Sequence, residues 1–395
     1  MIRIVFVDDE VNVLEAMQRT LRPMRNEWSM EFVSSGEAAL ESLAQNPADV
    51  IVSDMRMPGM DGWQLLAEVK QLYPQTVRLV LSGHADPGAI MRLVGTAHQY
   101  ISKPGESATL KAAIAQTQLL RRLLSTDRFV ALVGSVGTLP SCPKAFQEIS
   151  SCLRKPNASV ADAARIIRHD VAMTANLMKL VNSAFFGSRR EILSVDRAVA
   201  YLGLDTVASL ALGHSLFQSG GSSAPGGVNL EELWRHSLQT ATAAREIALA
   251  ERFPIARAEE AFLAGMLHDV GRVVYATRST PKTGKPAGSD EDTADEISLH
   301  HAEVGAYLLG LWGFPSHVVA AVALHHTPSL RADSGFDLTV LIHVADRLAH
   351  AQAERSLGAS EFGVEPGLLE SLGLLDHLPQ WSAAITALDS ELATP

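Results

Sequence analysis

The first hundred residues constrain the fold most. Five apolar runs, IRIVFV, MEFVS, DVIVSD, VRLVLS and HQYISK, are separated by the helical patterns VNVLEAMQRTL, GEAALESLA, GWQLLAEVKQL and PGAIMRLVG. Strands and helices alternating at this spacing read as a parallel sheet covered by helices on both faces. Ligands of such sheets bind beyond the carboxyl ends of the strands, so the residues that follow each run carry the information. They are Asp8 and Asp9 after the first run, Asp54 at the end of the third, Ser82 at the end of the fourth, and Lys103 with Pro104 after the fifth. Three converging carboxylates repel one another unless a cation sits among them, and oxygen donors suit Mg²⁺. The corresponding chemistry is phosphoryl transfer to a carboxylate. Asp54 attacks as nucleophile, Asp9 and Asp54 hold the metal, and Lys103 with Ser82 binds the acquired charge. Any one of these residues alone reads as an ordinary strand-end cap; all of them at the right strand ends point to the chemistry.

The segment VDDE, the run SDMRMPGMDG, the SG after the fourth strand, and YISKP resemble the receiver domain of two-component response regulators, over essentially all of residues 1–120. The resemblance implies a doubly wound, flavodoxin-like α/β domain that takes its phosphoryl group from a sensor histidine kinase or phosphotransfer protein. By that resemblance Asp54 is the phospho-acceptor, Asp8 and Asp9 are the acidic pair that joins it on Mg²⁺, and Met55 to Gly62 form the loop after the acceptor. Ser82 is the switch hydroxyl, Tyr100 the switch aromatic and Lys103 the phosphate-binding lysine. The chain departs from the family at Gly105, where an aromatic is common. The pattern TLKAAIAQTQLLRRLLS then leads out of the domain as the expected coupling segment.

The chain has 395 residues, enough for two or three domains with sizeable cores. At 47% hydrophobic and 19% charged it is neither disordered nor a coiled coil. A formal charge of −11 argues against nucleic acid as the primary partner. The two cysteines, Cys142 and Cys152, suggest neither a disulfide framework nor a cysteine zinc site. With no signal-peptide core at the N-terminus and no long apolar span, a cytoplasmic protein without a membrane segment is expected.

After Phe129 helix follows helix with no convincing strand, so the second domain is expected to be all-α. Two stretches, 219–229 and 278–295, are rich in Gly, Ser, Pro and charge, and read as a hinge between lobes and a surface loop. Of 14 histidines, nine fall between His236 and His350. His236, His268 with Asp269, His301, His325 with His326, and Asp346 each sit in an apolar helical stretch. An unpaired imidazole or carboxylate is costly to bury there, and a shared metal removes the cost. Adjacent helical residues point about 100° apart, so a pair such as His268 and Asp269 grips metal only at a helix end or between two ions. Mixed imidazole and carboxylate donors suit one or two ions of Fe, Mn, Zn or Co.

The stretches LPSCPKAFQEI, ADAARIIRHDVAMTANLMKLVNSAFFG, SVDRAVAYLGLDTVASLAL, LWRHSL, FLAGMLHDVG, HAEVGAYLLGLWGFP and HH resemble the HDOD branch of the HD superfamily of metal-dependent phosphohydrolases. The expected organisation is a receiver at 1–120, a connector at 121–129, an HDOD output domain at 130–350 with lobes at 130–218 and 230–350, and a helical extension at 351–395. A second HD pair, His169 and Asp170, lies where the family has an Asp-Pro turn, so Asp170 reads as a helix cap. His84, His98 and His214 read as structural or exposed, His317 as surface, and His343 and His350, on the Asp346 face, as packed core histidines or, alternatively, as partners that support the metal ligands. The family resemblance selects His301 over His300. HDOD domains are regarded as protein-interaction outputs, which implies a downstream signalling protein as partner and allows a homodimer. The alternative is a phosphohydrolase acting on a cyclic dinucleotide or signalling nucleotide. The chain lacks the GYP motif of cyclic di-GMP hydrolases, reading HHTPSL, and carries Arg272 where those enzymes have lysine.

Overall fold

The computed structural model describes residues 1–82, 95–102, 107–121, 124, 127–155, 157–183, 186, 191–212, 218–219, 229–277, 294–330, 335–354, 363–365 and 367–392. Lys103, Gly105, His84, His214 and most of the stretches 219–229 and 278–295 lie outside them, as does the side chain of Ser82. The N-terminal unit is a parallel sheet of β1 (Ile2–Val7), β2 (Trp28–Val33), β3 (Val50–Asp54), β4 (Val77–Ser82) and β5 (Gln99–Ser102), in the order β2-β1-β3-β4-β5. This is the doubly wound, flavodoxin-like order, and its reversal lies between β1 and β3. Alternation divides the sheet's core. Ile4, Phe6, Val52 and Leu79 face one side, while Val5, Val7, Ile51 and Val80 face the other.

Among the described residues the unit also has helices α1 (Val11–Leu21), α2 (Gly36–Gln45), α3 (Gly62–Leu72) and α4 (Ser107–Arg121), while all but the last residue of the expected helix PGAIMRLVG lies outside them. Local chemistry sets their starts. Ser35 accepts from the Ala38 N–H, and Asp61 with Gln64 forms a capping box. Gly62 is required where α3 leaves the acceptor strand, because a Cβ there would stand 2.1 Å from the Asp54 carbonyl oxygen.

The remainder is helical: α5 (Asp127–Ser135), α6 (Pro143–Leu153), α7 (Val160–Arg168), α8 (Val171–Val181), α9 (Val195–Leu202), α10 (Leu204–Leu212), α11 (Leu230–Ala250), α12 (Ile255–Leu267), α13 (Val270–Ala276), α14 (Ala294–Leu311), α15 (Ser316–Leu324), α16 (Leu338–Glu354), α17 (Leu368–Ser371) and α18 (Leu378–Leu392). The expectation of no strand needs one correction: Pro140–Ser141 and Gln218–Ser219 pair in parallel as a two-residue bridge, too short to leave a periodic signal. Asp170 caps α8, accepting from Met173 N and Cys142 N at 2.7 Å each. The C-terminal stretch packs back on the output domain, with Trp381 fully buried and its indole N–H donating to Glu251 at 3.0 Å. No described helix is long and apolar enough to cross a membrane.

The sheet side carrying Phe6 and Leu79 is continuous with the helical core. Helix α4 packs along α14, where a Cβ at Gly310 would meet Leu120 at 2.3 Å, and Gln99 of β5 donates to the Gly310 carbonyl at 3.3 Å. At the amino ends of β4 and β5 the helix α5 fits so closely that a Cβ at Gly134 would lie 1.9 Å from the Pro74 oxygen. Buried Arg78 locks this corner, donating to Thr96 O at 2.7 Å, Thr76 O at 3.0 Å and Gly134 O at 2.6 Å. His98, also buried, lies against the same guanidinium at 3.0 Å, so of the histidines read as structural or exposed it is structural.

Candidate functional site

At the sheet's carboxyl edge, register does the positioning. Val7 pairs with Ser53, so Asp8 and Asp54 follow side by side on neighbouring strands. Ser82 ends β4 beside Ser102, the residue before Lys103. Asp8 is fully buried and accepts from Glu10 N at 3.0 Å, while Asp54 accepts from Arg56 N at 2.9 Å through Oδ2. The acidic edge therefore has the oxygen donors that fit Mg²⁺. Tyr100 is buried, in register with Val80 and within one core cluster with Met55 and Leu65, and burial pushes its phenol pKa up.

In the helical domain one cluster contains every predicted ligand. His236 comes from the middle of α11, His301 from α14 and Asp346 from α16, whereas the two adjacent pairs sit at helix ends. His268 closes α12 and Asp269 opens α13; His325 closes α15 and His326 follows it. Both closing histidines fold back in the same way. The imidazole Nδ1 of His268 lies 2.7 Å from Gly265 O, and that of His325 2.7 Å from Val322 O, which turns each Nε2 towards the cluster. The close crossing of α13 and α14 brings Asp269 to His301, because a Cβ at Gly271 would stand 1.9 Å from the His301 oxygen.

Donor separations can be tested against a metal. Nitrogen and oxygen donors bound at about 2.0–2.1 Å with near-tetrahedral angles stand roughly 3.3 Å apart. His236 Nε2 is 3.0 Å from Asp346 Oδ1 and 3.2 Å from His268 Nε2; His268 Nε2 is 3.5 Å from Asp346 Oδ1. On the other side His301 Nε2 is 3.0 Å from both Asp269 Oδ1 and His326 Nε2. Among the donor atoms of this cluster, two buried ones, His325 Nε2 and Asp346 Oδ2, have no hydrogen-bond partner among the described residues. Asp346 Oδ2 meets only the Arg347 guanidinium, at 3.6 Å, and an imidazole nitrogen left without a partner within one donor cluster fits an ion better than a closed hydrogen-bond network.

Electrostatics treats the donors differently: against burial, Asp269 and Asp346 push the His268 imidazole up, so an ion there must displace its proton. Burial alone would raise the Asp269 carboxyl, but His268, His301 and Arg272 hold it well below the usual range. Asp346 is likewise held down, against burial, by His236 and His268. Burial and neighbouring imidazoles push His325 well down and His326 to about 4, leaving both neutral, as metal ligation requires. Two guanidiniums flank the carboxylates: Arg272 Nε stands 3.1 Å from Asp269, and Arg347 Nε 3.6 Å from Asp346. Arg347 also lies 2.9 Å from His326 Nδ1.

The histidines read as bystanders divide. His343 is a buried structural residue, with Nδ1 2.6 Å from His325 O and Nε2 accepting from Glu365 N at 3.0 Å. His300 lies 3.3 Å from Glu303 and outside the cluster, and half-buried His317 pairs with Glu260. For His350 the packed-core reading is a correction, because it is half exposed; its Nε2 lies 3.4 Å from Asp346 Oδ1, the position of a partner to that carboxylate. Its i,i+4 spacing from Asp346 was the available signal.

A response regulator receiver family model matches residues 4–115 and an HDOD domain family model matches residues 139–328. Among curated proteins, an uncharacterized protein of Treponema pallidum is 26% identical over 56% of this chain and 44% of its own length. The hydrogenase transcriptional regulatory protein HoxA of Cupriavidus necator is 33% identical over 50% of this chain and 42% of its own. The chain thus spans less than half the length of these relatives. Among solved structures, the receiver domain of an HD domain-containing protein from Pseudomonas fluorescens is 32% identical with a TM-score of 0.28, covering 29% of this chain and 85% of that one. The MmoQ response regulator of Methylococcus capsulatus is 24% identical with a TM-score of 0.48, covering 62% of this chain and 98% of its own. The parallel sheet with its acidic edge and the helical domain with its histidine cluster, matched by these two family models, make this chain a response regulator in which a receiver domain is followed by an HDOD domain.

Proposed function

We propose that phosphorylation of Asp54 by a sensor histidine kinase or phosphotransfer protein sets the state of the HDOD domain, which passes that state mainly to a downstream signalling protein by direct contact. The observation that carries this reading is the reach of α14. It places His301 in the histidine cluster and, nine positions and about 13.5 Å further on, Gly310 against Gln99 and Leu120 of the receiver. An Asp54 oxygen attacks the donor's phosphorus, the donor imidazole leaves, and an acyl phosphate remains on Asp54. Asp8, Asp9 and Asp54 would hold Mg²⁺, which when bound neutralises the phosphoryl oxygens. Ser82 and Lys103 bind the new charge, and Tyr100, next to Gln99 on β5, relays it to the domain contact.

The helical cluster is read as a metal centre of one or two ions held by His236, His268, Asp269, His301, His325, His326 and Asp346. A bound transition metal would supply a Lewis acid and a structural tie between α11, α14 and α16. Four of these groups, His268, His301, His325 and Asp346, are at most 1% exposed, which favours a tie over an open reaction chamber. The second reading, a metal-dependent phosphohydrolase, is favoured by the completeness of the donor set and by the solvent-facing edge at His236 and His326. Hydrogen exchange with and without stoichiometric Asp54 phosphorylation tests the coupling: altered protection is expected in 107–135 and α14, and identical exchange would overturn it. Metal-loaded protein assayed on cyclic dinucleotides and guanosine polyphosphates separates the outputs, since turnover on either would replace the interaction reading by the enzymatic one.

A further inference from the structure

We infer that His350 forms, with His236 and Asp346, an outer metal seat through which an ion reaches the buried centre. The inference rests on the metal-centre reading above. His236 Nε2 and Asp346 Oδ1 stand 3.0 Å apart as a shared pair. Two further imidazoles are almost equidistant from the same carboxylate oxygen: His268 Nε2 at 3.5 Å on the buried side and His350 Nε2 at 3.4 Å on the solvent side. The donor atoms of His236, Asp346 and His350 all lie within 4.8 Å of one another, as do those of His236, His268 and Asp269. The ring centroids of His236 and His350 are 4.2 Å apart.

Because the two seats share His236 and Asp346, one ion occupies one seat or the other. Their surroundings differ sharply. The His268 side chain is 1% exposed and that of His350 is 49% exposed. An aquo ion can meet His350 and His236 at the surface with only Asp346 drawn from the interior. Exchange of the His350 nitrogen for that of His268, with Asp269 completing the set, then carries the ion inward. The step forms one metal–nitrogen bond as another breaks, without redox change, and water released from the ion returns to solvent. The other exposed donor, His326, stands on the His301 side of the centre, so without His350 an ion arriving between α11 and α16 would meet only the partly exposed His236.

The test follows Zn²⁺ transfer from a chromogenic chelator to metal-free full-length protein, and the reverse stripping reaction, in wild type, His350→Ala and His350→Glu. The exposed position of His350 makes the substitutions compatible with folding. The account predicts that His350→Ala slows both uptake and stripping tenfold or more, with equilibrium Zn²⁺ content unchanged, and that His350→Glu, which restores a donor on the same face, returns both rates to near wild type. Equal rates in wild type and His350→Ala would overturn the entry role. Loss of bound Zn²⁺ in His350→Ala would overturn it as well, by making His350 a resident ligand. Wild type that takes up no Zn²⁺ refutes the metal centre itself, and the seat with it.

Discussion

The substitution Gly134→Ala tests whether the receiver and output domains are held together as one switchable unit. The new methyl would start 1.9 Å from Pro74 O and 2.9 Å from the Pro74 carbonyl carbon. Ordinary contact needs about 3.5 Å, so α5 and the strand-4 entrance must separate by roughly 1.5 Å. That movement stretches the 2.6 Å bond from Arg78 to Gly134 O beyond hydrogen-bonding range. Overpacking of this kind costs about 1–3 kcal/mol, and a hydrogen bond from a charged donor contributes about 1.5–3 kcal/mol. Together they weaken docking by about 2.5–6 kcal/mol, a factor of roughly 70 to 20,000. Hydrogen exchange should rise in 77–82, 99–102 and 127–135, with a lower melting temperature. Asp54 should still be labelled by a small phosphodonor, because Pro74 lies at the opposite end of the sheet from the acidic edge. Gly95→Ala is the control, since a Cβ there meets nothing within 4 Å. Unchanged exchange and melting in Gly134→Ala would refute the argument.

At the receiver, Asp54→Asn should abolish labelling by a small phosphodonor with Mg²⁺, and Asp9→Ala should weaken it at limiting Mg²⁺; full labelling of the Asn variant would show that another carboxylate is the acceptor. Burial raises the Asp170 carboxyl to about 6 despite its backbone donors, so between the unfolded value near 3.9 and about 6 the folded state binds more protons. Asp170 therefore favours folding below that window, and its contribution falls as pH rises through it, by about 3 kcal/mol at most. Urea unfolding should show wild type gaining on Asp170→Asn between pH 7 and pH 4.5, and a pH-independent difference would contradict this. The Arg347 guanidinium beside His326 Nδ1 leaves the ring's proton on Nε2 in the neutral tautomer, so an ion must displace that contact. Arg347→Ala should tighten Zn²⁺ binding about fivefold, roughly 1 kcal/mol, and a weaker affinity by titration would show instead that Arg347 supports the site.

Much of this was legible in the sequence for identifiable reasons. Strand alternation placed Asp8, Asp54 and Ser82 at one sheet edge because register in a parallel sheet follows the apolar pattern. The adjacent pairs His268–Asp269 and His325–His326 implied either helix ends or two ions, since neither pair could converge on one ion from within a helix, and both sit at helix ends. The glycines at 134, 271 and 310 were opaque. In a helical pattern glycine reads as a loss of stability, and nothing local reveals that another backbone or Leu120 occupies the missing Cβ position. His343 and His350 were indistinguishable by spacing, three before and four after Asp346. Only the direction of the cluster, set by α11 and α12, separates the imidazole that fastens His325 O from the one that faces Asp346.

The account turns on the histidine–aspartate cluster being a metal centre tied to the receiver through α14. Elemental analysis of full-length protein purified without chelator tests it most directly, alongside His268→Ala/Asp269→Ala, whose two donors lie at the α12–α13 junction. The account predicts one or two transition-metal ions per wild-type chain, a lower melting temperature after chelation, and loss of bound metal in the double variant. Wild-type protein that carries no ion, takes none up on addition, and melts at the same temperature with and without chelator would contradict it.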